Sequence, residues 1–136
     1  MISSEQESFE FSIDSSAGLV SSRTTGALTF GKIVNYVSSL KADPKFNPDF
    51  SELVDLRAVE SVRLSAREAM MLADQVDPFS PLSRRGFVAL SETQAHAAQL
   101  HLLLRPGSDT VRIFFSMEEA QRWLKSEEGS SPTAGT

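Results

Sequence analysis

The sequence predicts an α/β fold in which short apolar strands alternate with amphipathic helices. Three observations predict it. Residues Ser8 to Asp14 read Ser-Phe-Glu-Phe-Ser-Ile-Asp, the strict apolar–polar alternation of a half-buried strand. Phe30, Ile33, Val34, Val37 and Leu40 recur at helical spacing and make one apolar stripe. Ser65–Glu68, Ser91–Gln94 and Ser116–Glu119 each place Glu or Gln three residues after a Ser. In this capping box the Ser hydroxyl accepts from a first-turn amide, and the Glu or Gln side chain returns a bond to the Ser amide.

The elements follow in order. After the first strand, Ser15-Ser16-Ala17-Gly18 is a turn, and Leu19 to Thr25 reads as a second strand that closes a hairpin. Gly26 to Thr29 leads into the first helix, with Thr29 as its cap. Asp43-Pro44 stops that helix, because Pro has no amide to give and restricts the residue before it. The loop that follows carries Phe46 and Phe50, both expected to pack down on the core. Leu53-Val54-Asp55-Leu56 is the third strand, and a connection through Val59 and Val62 reaches the second helix at Ser65. Ala69, Leu72, Ala73 and Val76 form its buried stripe, and Asp77-Pro78 ends it. Gly86 to Leu90 is a nearly continuous apolar run, as in a strand covered on both faces. A third helix spans about Glu92 to Leu104. Val111 to Phe115 is the last strand, and Met117, Ala120, Trp123 and Leu124 mark the last helix, with Trp123 and Leu124 as a core anchor. The last three strands alternate with helices and are expected to be parallel, with right-handed crossovers.

Composition narrows the function classes. The chain has 136 residues, 13 Lys and Arg against 18 Asp and Glu, and a net charge of −5. Such a chain lacks the clustered cations that nonspecific nucleic-acid binding or an anionic membrane surface requires. It has no cysteine, which excludes disulfides, thiolate metal sites and thiol nucleophiles. Met1 to Glu7 is polar and acidic, without the basic region and apolar core of a signal peptide. No apolar run approaches the roughly 18 residues of a membrane helix. A cytoplasmic location without membrane insertion is the expectation.

Candidate chemistry is sparse. Gly26-Ala27-Leu28-Thr29-Phe30-Gly31-Lys32-Ile33 nearly matches a phosphate-binding loop, but Ile33 stands where a magnesium-binding hydroxyl is needed. His96 and His101 are five apart, so on a helix they lie about 140° apart and share no face, unlike zinc pairs at i, i+4. No nucleophile elbow accompanies the serines. The sequence therefore calls for no cofactor, no metal and no catalytic set. Asp55, at the end of a buried strand, is the one carboxylate of interest. Its expected role is to cap the next turn or to pair with Arg57 or Arg63; a base would need a raised pKa beside a second titratable group. Met70 and Met71 are adjacent, so one of them is left for an adaptable contact surface.

The order of the elements and several local patterns resemble the SpoIIAA-like branch of the STAS (anti-sigma-factor antagonist) superfamily. The residues that carry the resemblance are Gly26-Ala27-Leu28-Thr29-Phe30, Asp43-Pro44-Lys45-Phe46 and Leu53-Val54-Asp55-Leu56-Arg57-Ala58-Val59. Val111-Arg112-Ile113-Phe114-Phe115 and Glu119-Ala120-Gln121-Arg122-Trp123-Leu124 complete it. The resemblance implies a mixed four- to five-stranded sheet with an N-terminal hairpin and about four helices. It also implies a protein-interaction module rather than an enzyme. In the anti-sigma-factor antagonists a Ser at the start of the helix after the Asp-bearing strand is phosphorylated by a partner kinase, and dephosphorylation permits partner binding. The matching position here is Ser65. The family has Asp-Ser-Ser-Gly at this point; this chain has Arg63-Leu64-Ser65-Ala66.

The expectation that emerges is one domain over residues 8–125, with flexible segments at 1–7 and 126–136. It is a regulatory or scaffolding module that binds a protein partner and forms a homodimer. The working surface is expected at Asp55, Arg57, Arg63, Arg67, Met70 and Met71, with Ser65 as candidate phosphosite. The alternative is a binder of small apolar, lipid-like ligands, lined by Phe46, Phe50 and Phe79.

Overall fold

A computed structural model describes residues 9–92, 94–96 and 110–125. The segments 1–7 and 126–136 lie outside the described residues. Strands β1 (Glu10–Asp14) and β2 (Leu19–Arg23) form the expected antiparallel hairpin, with Asp14 opposite Leu19. The Asp14 carboxylate closes the turn by accepting from Ser16 Oγ at 2.8 Å and from the Ala17 amide at 3.1 Å. Those bonds, the Ser16 hydroxyl first, hold its pKa below the ordinary value. Gly18 leaves the turn at φ +64°, a left-handed conformation that other side chains resist.

Strand β4 (Ser51–Asp55) lies parallel beside β2, β6 (Arg85–Val88) beside β4, and β7 (Val111–Phe114) beside β6. The main sheet has the order β1-β2-β4-β6-β7, so its last three strands are parallel, as the alternation with helices requires. Two further strands depart from the sequence reading. β3 (Gly26–Thr29) is not merely a lead into the helix, and β5 (Val59–Arg63) is not merely a connection; they pair in parallel as a second sheet. Gly26, at φ +73°, breaks the chain after β2, and its amide donates to Ala58 O at 3.1 Å. Their sequences, Gly-Ala-Leu-Thr and Val-Glu-Ser-Val-Arg, do not alternate strictly, so periodicity does not reveal them.

Helix α1 (Phe30–Ala42) begins as expected, with Thr29 Oγ1 accepting from the Lys32 amide at 3.2 Å, and it ends at Asp43. Its buried stripe is Lys32, Tyr36, Val37 and Leu40; Phe30, Ile33 and Val34 are only half-buried. The helix is turned toward Tyr36 because that phenol bonds a buried carboxylate of the sheet. Helix α2 (Ala66–Met71) passes into a π-helical turn, Leu72–Val76, closed by the Asp77 amide donating to Leu72 O at 2.8 Å. Residues 92 and 94–96 are helical. The remainder of the helix expected to reach Leu104, with His101, lies outside the described residues. Helix α3 (Met117–Lys125) is capped by Ser116 Oγ, which accepts from the Glu119 amide at 3.2 Å.

Alternation along the parallel strands divides the core. Val54, Phe87 and Ile113 face the second sheet and α1, whereas Leu53, Val88 and Phe114 face α3. Ala120 is fully buried between Leu53 and Val88. Trp123 and Leu124 are half-buried, and Leu124 packs on the Leu53–Val88–Ala120 cluster as the core-anchor expectation has it. The Trp123 ring lies 5.6 Å from Phe114 and beneath the Arg84 and Arg112 guanidinium groups at 5.0 and 5.4 Å. Phe46 and Phe50 pack on the Tyr36–Leu40 cluster, as the loop composition suggested. Among the described residues, no helix is long and apolar enough to cross a membrane.

Candidate functional site

At the end of β4, Asp55 and Arg57 form a bidentate pair. Arg57 Nε donates to Oδ1 and NH2 to Oδ2, each at 2.9 Å, and the Arg57 amide adds a third bond at 3.0 Å. The Arg57 side-chain bonds draw the Asp55 carboxyl below the ordinary 3.8 against partial burial, helped by the Arg57 amide and by the charges of Arg57 and Arg23. Asp55 is thus the turn cap and Arg partner that its position suggested, and its partner is Arg57 rather than Arg63. The direction of its shift is opposite to that of a general base. Gln94 fixes this turn from outside: its Nε2 donates to Arg57 O and Val59 O, both at 2.9 Å. The same side chain completes the Ser91 capping box by accepting from the Leu90 and Ser91 amides.

Ser65 stands at the other end of β5. Its Oγ accepts from the Glu68 amide at 3.0 Å, and Glu68 Oε1 accepts from the Ser65 amide at 3.0 Å, so the capping box is complete. Arg63, Ser65 and Arg67 are all exposed, and neither arginine has an ion-pair partner among the described residues. Met70 is 49% exposed while Met71 is half-buried, the division that their adjacency demands. The expected surface therefore falls into two groups, Asp55 with Arg57 and Arg63 with Ser65, Arg67 and Met70. β5 separates them, and no hydrogen bond or ion pair joins them.

The near-match to a phosphate loop is spent on structure. Gly26–Thr29 is strand, and Lys32 is buried with its amine donating to Thr25 O at 2.6 Å. His96 is exposed, and among the described residues no group of His, Cys, Asp and Glu could hold a metal ion.

A buried charge cluster escaped the sequence reading. Glu52 and Arg85 are register partners on β4 and β6 and both face α1. Arg85 Nε donates to Glu52 Oε1 at 2.9 Å and NH1 to Asp77 Oδ2 at 2.7 Å; Tyr36 OH donates to Glu52 Oε2 at 2.7 Å. Burial by itself lowers the Arg85 pKa, but the charges and hydrogen bonds of Glu52 and Asp77 outweigh it and leave the pKa raised. Burial, and then the Glu52 charge, hold the Tyr36 phenol well above its ordinary 10.0. The Arg85 guanidinium also lies over the Phe79 ring at 4.7 Å. One signal was available: a charged residue opens each of two neighbouring apolar strands, Glu52 before Leu-Val and Arg85 before Gly-Phe-Val-Ala. In strands covered on both faces, such charges must find each other.

Beside this cluster lies a cavity of about 100 Å³ between the sheet, α1 and α2. Phe79 lines it, whereas Phe46 and Phe50 do not; the three rings gather instead in the neighbouring Tyr36–Leu40 cluster, with Phe46 edge-on to Phe79 at 5.4 Å.

The architecture is that of a SpoIIAA-like α/β fold. No protein-family model matches the chain, and no curated protein matches its sequence. Solved structures resemble it, among them the following two. One is an uncharacterized protein of the DUF3478 family with a SpoIIAA-like fold from Shewanella loihica PV-4. It has a TM-score of 0.59 and 19% identity, over 86% of this chain and 94% of that one. The other is an anti-sigma factor antagonist from Mycobacterium paratuberculosis, with a TM-score of 0.58 and 16% identity, over 88% of this chain and 96% of that one. These likenesses establish the fold.

Proposed function

We propose that this chain is a non-enzymatic regulatory or scaffolding module of the cytoplasm that works by docking a protein partner on α2 and the strand ends beside it. The observation that carries the reading is the fold it shares, over nearly the whole of both chains, with an anti-sigma factor antagonist. The docking face comprises Arg63, Ser65, Arg67, Met70 and the edge of Met71, with Asp55 and Arg57 as a second contact. Ser65 is the switch within it. A phosphate there would meet first-turn amides and lie near Arg63 and Arg67, which have no ion partner among the described residues. It would also displace the cap bond to Glu68. Homodimer formation belongs to the same reading.

The test is partner capture from a lysate of the native host with wild type, Ser65→Ala and Ser65→Asp as baits. A protein retained by wild type and Ser65→Ala but lost with Ser65→Asp supports the switch; equal retention by all three removes it. Sedimentation over a concentration series decides the homodimer, which is excluded by a monomer at every concentration. The cavity beneath α2 favours a second reading, a binder of small apolar ligands, and the two are compatible because they use opposite sides of one helix.

A further inference from the structure

We propose that the cavity of about 100 Å³ under α2 is a binding site for a small uncharged apolar molecule, and that its occupant braces the docking helix. Three observations carry this. The first is the wall. Leu28, Val54 and Leu56 close it from the two sheets, and Ala69, Leu72 and Val76 close it from α2 and its π turn. An enclosed apolar cavity of about 150 Å³ takes up benzene or xenon; this one is smaller, about 100 Å³, and partly open to the surface, with room at its apolar end for a ring or a short alkyl group.

The second observation is the charged end, which sets the chemical class. Glu52 accepts from Tyr36 and Arg85, and Asp77 accepts from Arg85 and from the Phe79 amide. Each formal charge in the trio is thus engaged. A carboxylate or phosphate headgroup would compete with Glu52 and Asp77 for Arg85 in a low-dielectric site, and an ammonium would compete with Arg85 for carboxylates already bound. A neutral apolar guest disturbs nothing.

The third observation is the π turn. Leu72–Val76 abandons the α-helical ladder where it passes the cavity. Such turns are rare and concentrate at functional sites, because they enlarge the helix and turn side chains out of register. Here the widening keeps Leu72 and Val76 on the wall, while Met70, two residues before Leu72, is exposed. A guest in the cavity therefore presses on the inner side of the segment whose outer side carries Ser65 and Met70. This bracing becomes regulatory only if α2 is the docking face, and to that extent it rests on the function proposed above; the binding itself does not.

Methyl NMR of the whole chain, titrated with benzene and separately under xenon, tests the site. The expected result is saturable shifts at Leu28, Val54, Leu72 and Val76, and their loss in Ala69→Leu, whose longer side chain fills the space. Val76→Phe, which fills it from the other end of the π turn, serves if Ala69→Leu does not fold. No saturable shift in wild type, or undiminished shifts in a folded filled variant, overturns the proposal. Hydrogen exchange of residues 66–76 tests the bracing: with benzene at ten times its Kd, openings that empty the site should slow by about tenfold. Unchanged exchange at saturating benzene removes it. None of these readouts involves a partner, so a failed capture experiment and a failed benzene titration point to different errors.

Discussion

Two arginine–carboxylate sites on neighbouring strands do opposite work. Arg85 sits between Glu52 and Asp77 with only 7% of its side chain exposed, while Arg57 grips Asp55 with 41% exposed. Their hydrogen-bond lengths are nearly equal. Geometry therefore does not separate them; solvent does. The inner cluster is locked because each member would be stranded without the others, whereas the outer pair can open into water at little cost.

The largest expected effect breaks the inner site. Arg85→Met removes the guanidinium that buried Glu52 and Asp77 share and should destabilise the fold by about 3–5 kcal/mol in urea unfolding. A loss below about 1 kcal/mol would erase the distinction between the two sites. Next comes Tyr36→Phe, which removes one donor from the buried Glu52 and should cost about 1.5–3 kcal/mol. Tyr36 is the single tyrosine of the chain, so phenolate absorbance reports on it alone. Its folded pKa is raised, so its contribution is complete below the ordinary 10.0 and is lost as pH rises toward the folded value. Phenolate should accordingly appear together with alkaline unfolding; ionisation with the fold intact would mean that the inner cluster admits water.

Ser65→Ala falls between the two sites, at about 1 kcal/mol, because it removes one half of a capping box. Arg57→Ala should be the mildest, below about 1 kcal/mol and smaller still in high salt. Its mark is acid stability. The Asp55 pKa is depressed in the fold, so the contribution is present above the ordinary 3.8 and lost as pH falls through the folded value. Wild type should show this loss in acid titrations of stability, and Arg57→Ala should lack it; identical acid limbs would show that the pair is open in solution.

The contrast between the two sites also explains how far the sequence could be read. The outer features were legible because they are local: Asp55 and Arg57 are two residues apart, the Ser65–Glu68 box spans three, and Met70 beside Met71 forces one of them out. The main sheet was legible because its strands separate helices with clear caps. The inner cluster was not, because Glu52 and Arg85 are 33 residues apart and meet only through the register of β4 and β6. β3 and β5 failed for the same reason, since neither has a pattern without the other. The π turn was hidden because Leu72, Ala73 and Val76 keep helical spacing in sequence while the backbone inserts an extra residue per turn.

The placement of Ala120 has a consequence for how the chain matures. Leu53 and Val88 meet on the sheet face that α3 covers, yet α3 follows every strand of that sheet in chain order. A ribosome releases the N-terminal part first. During that interval Leu53 and Val88 lack the cover that Ala120 gives them. The shield for that side is the last of these elements to leave the exit tunnel, so folding is completed after synthesis of α3 rather than alongside the strands.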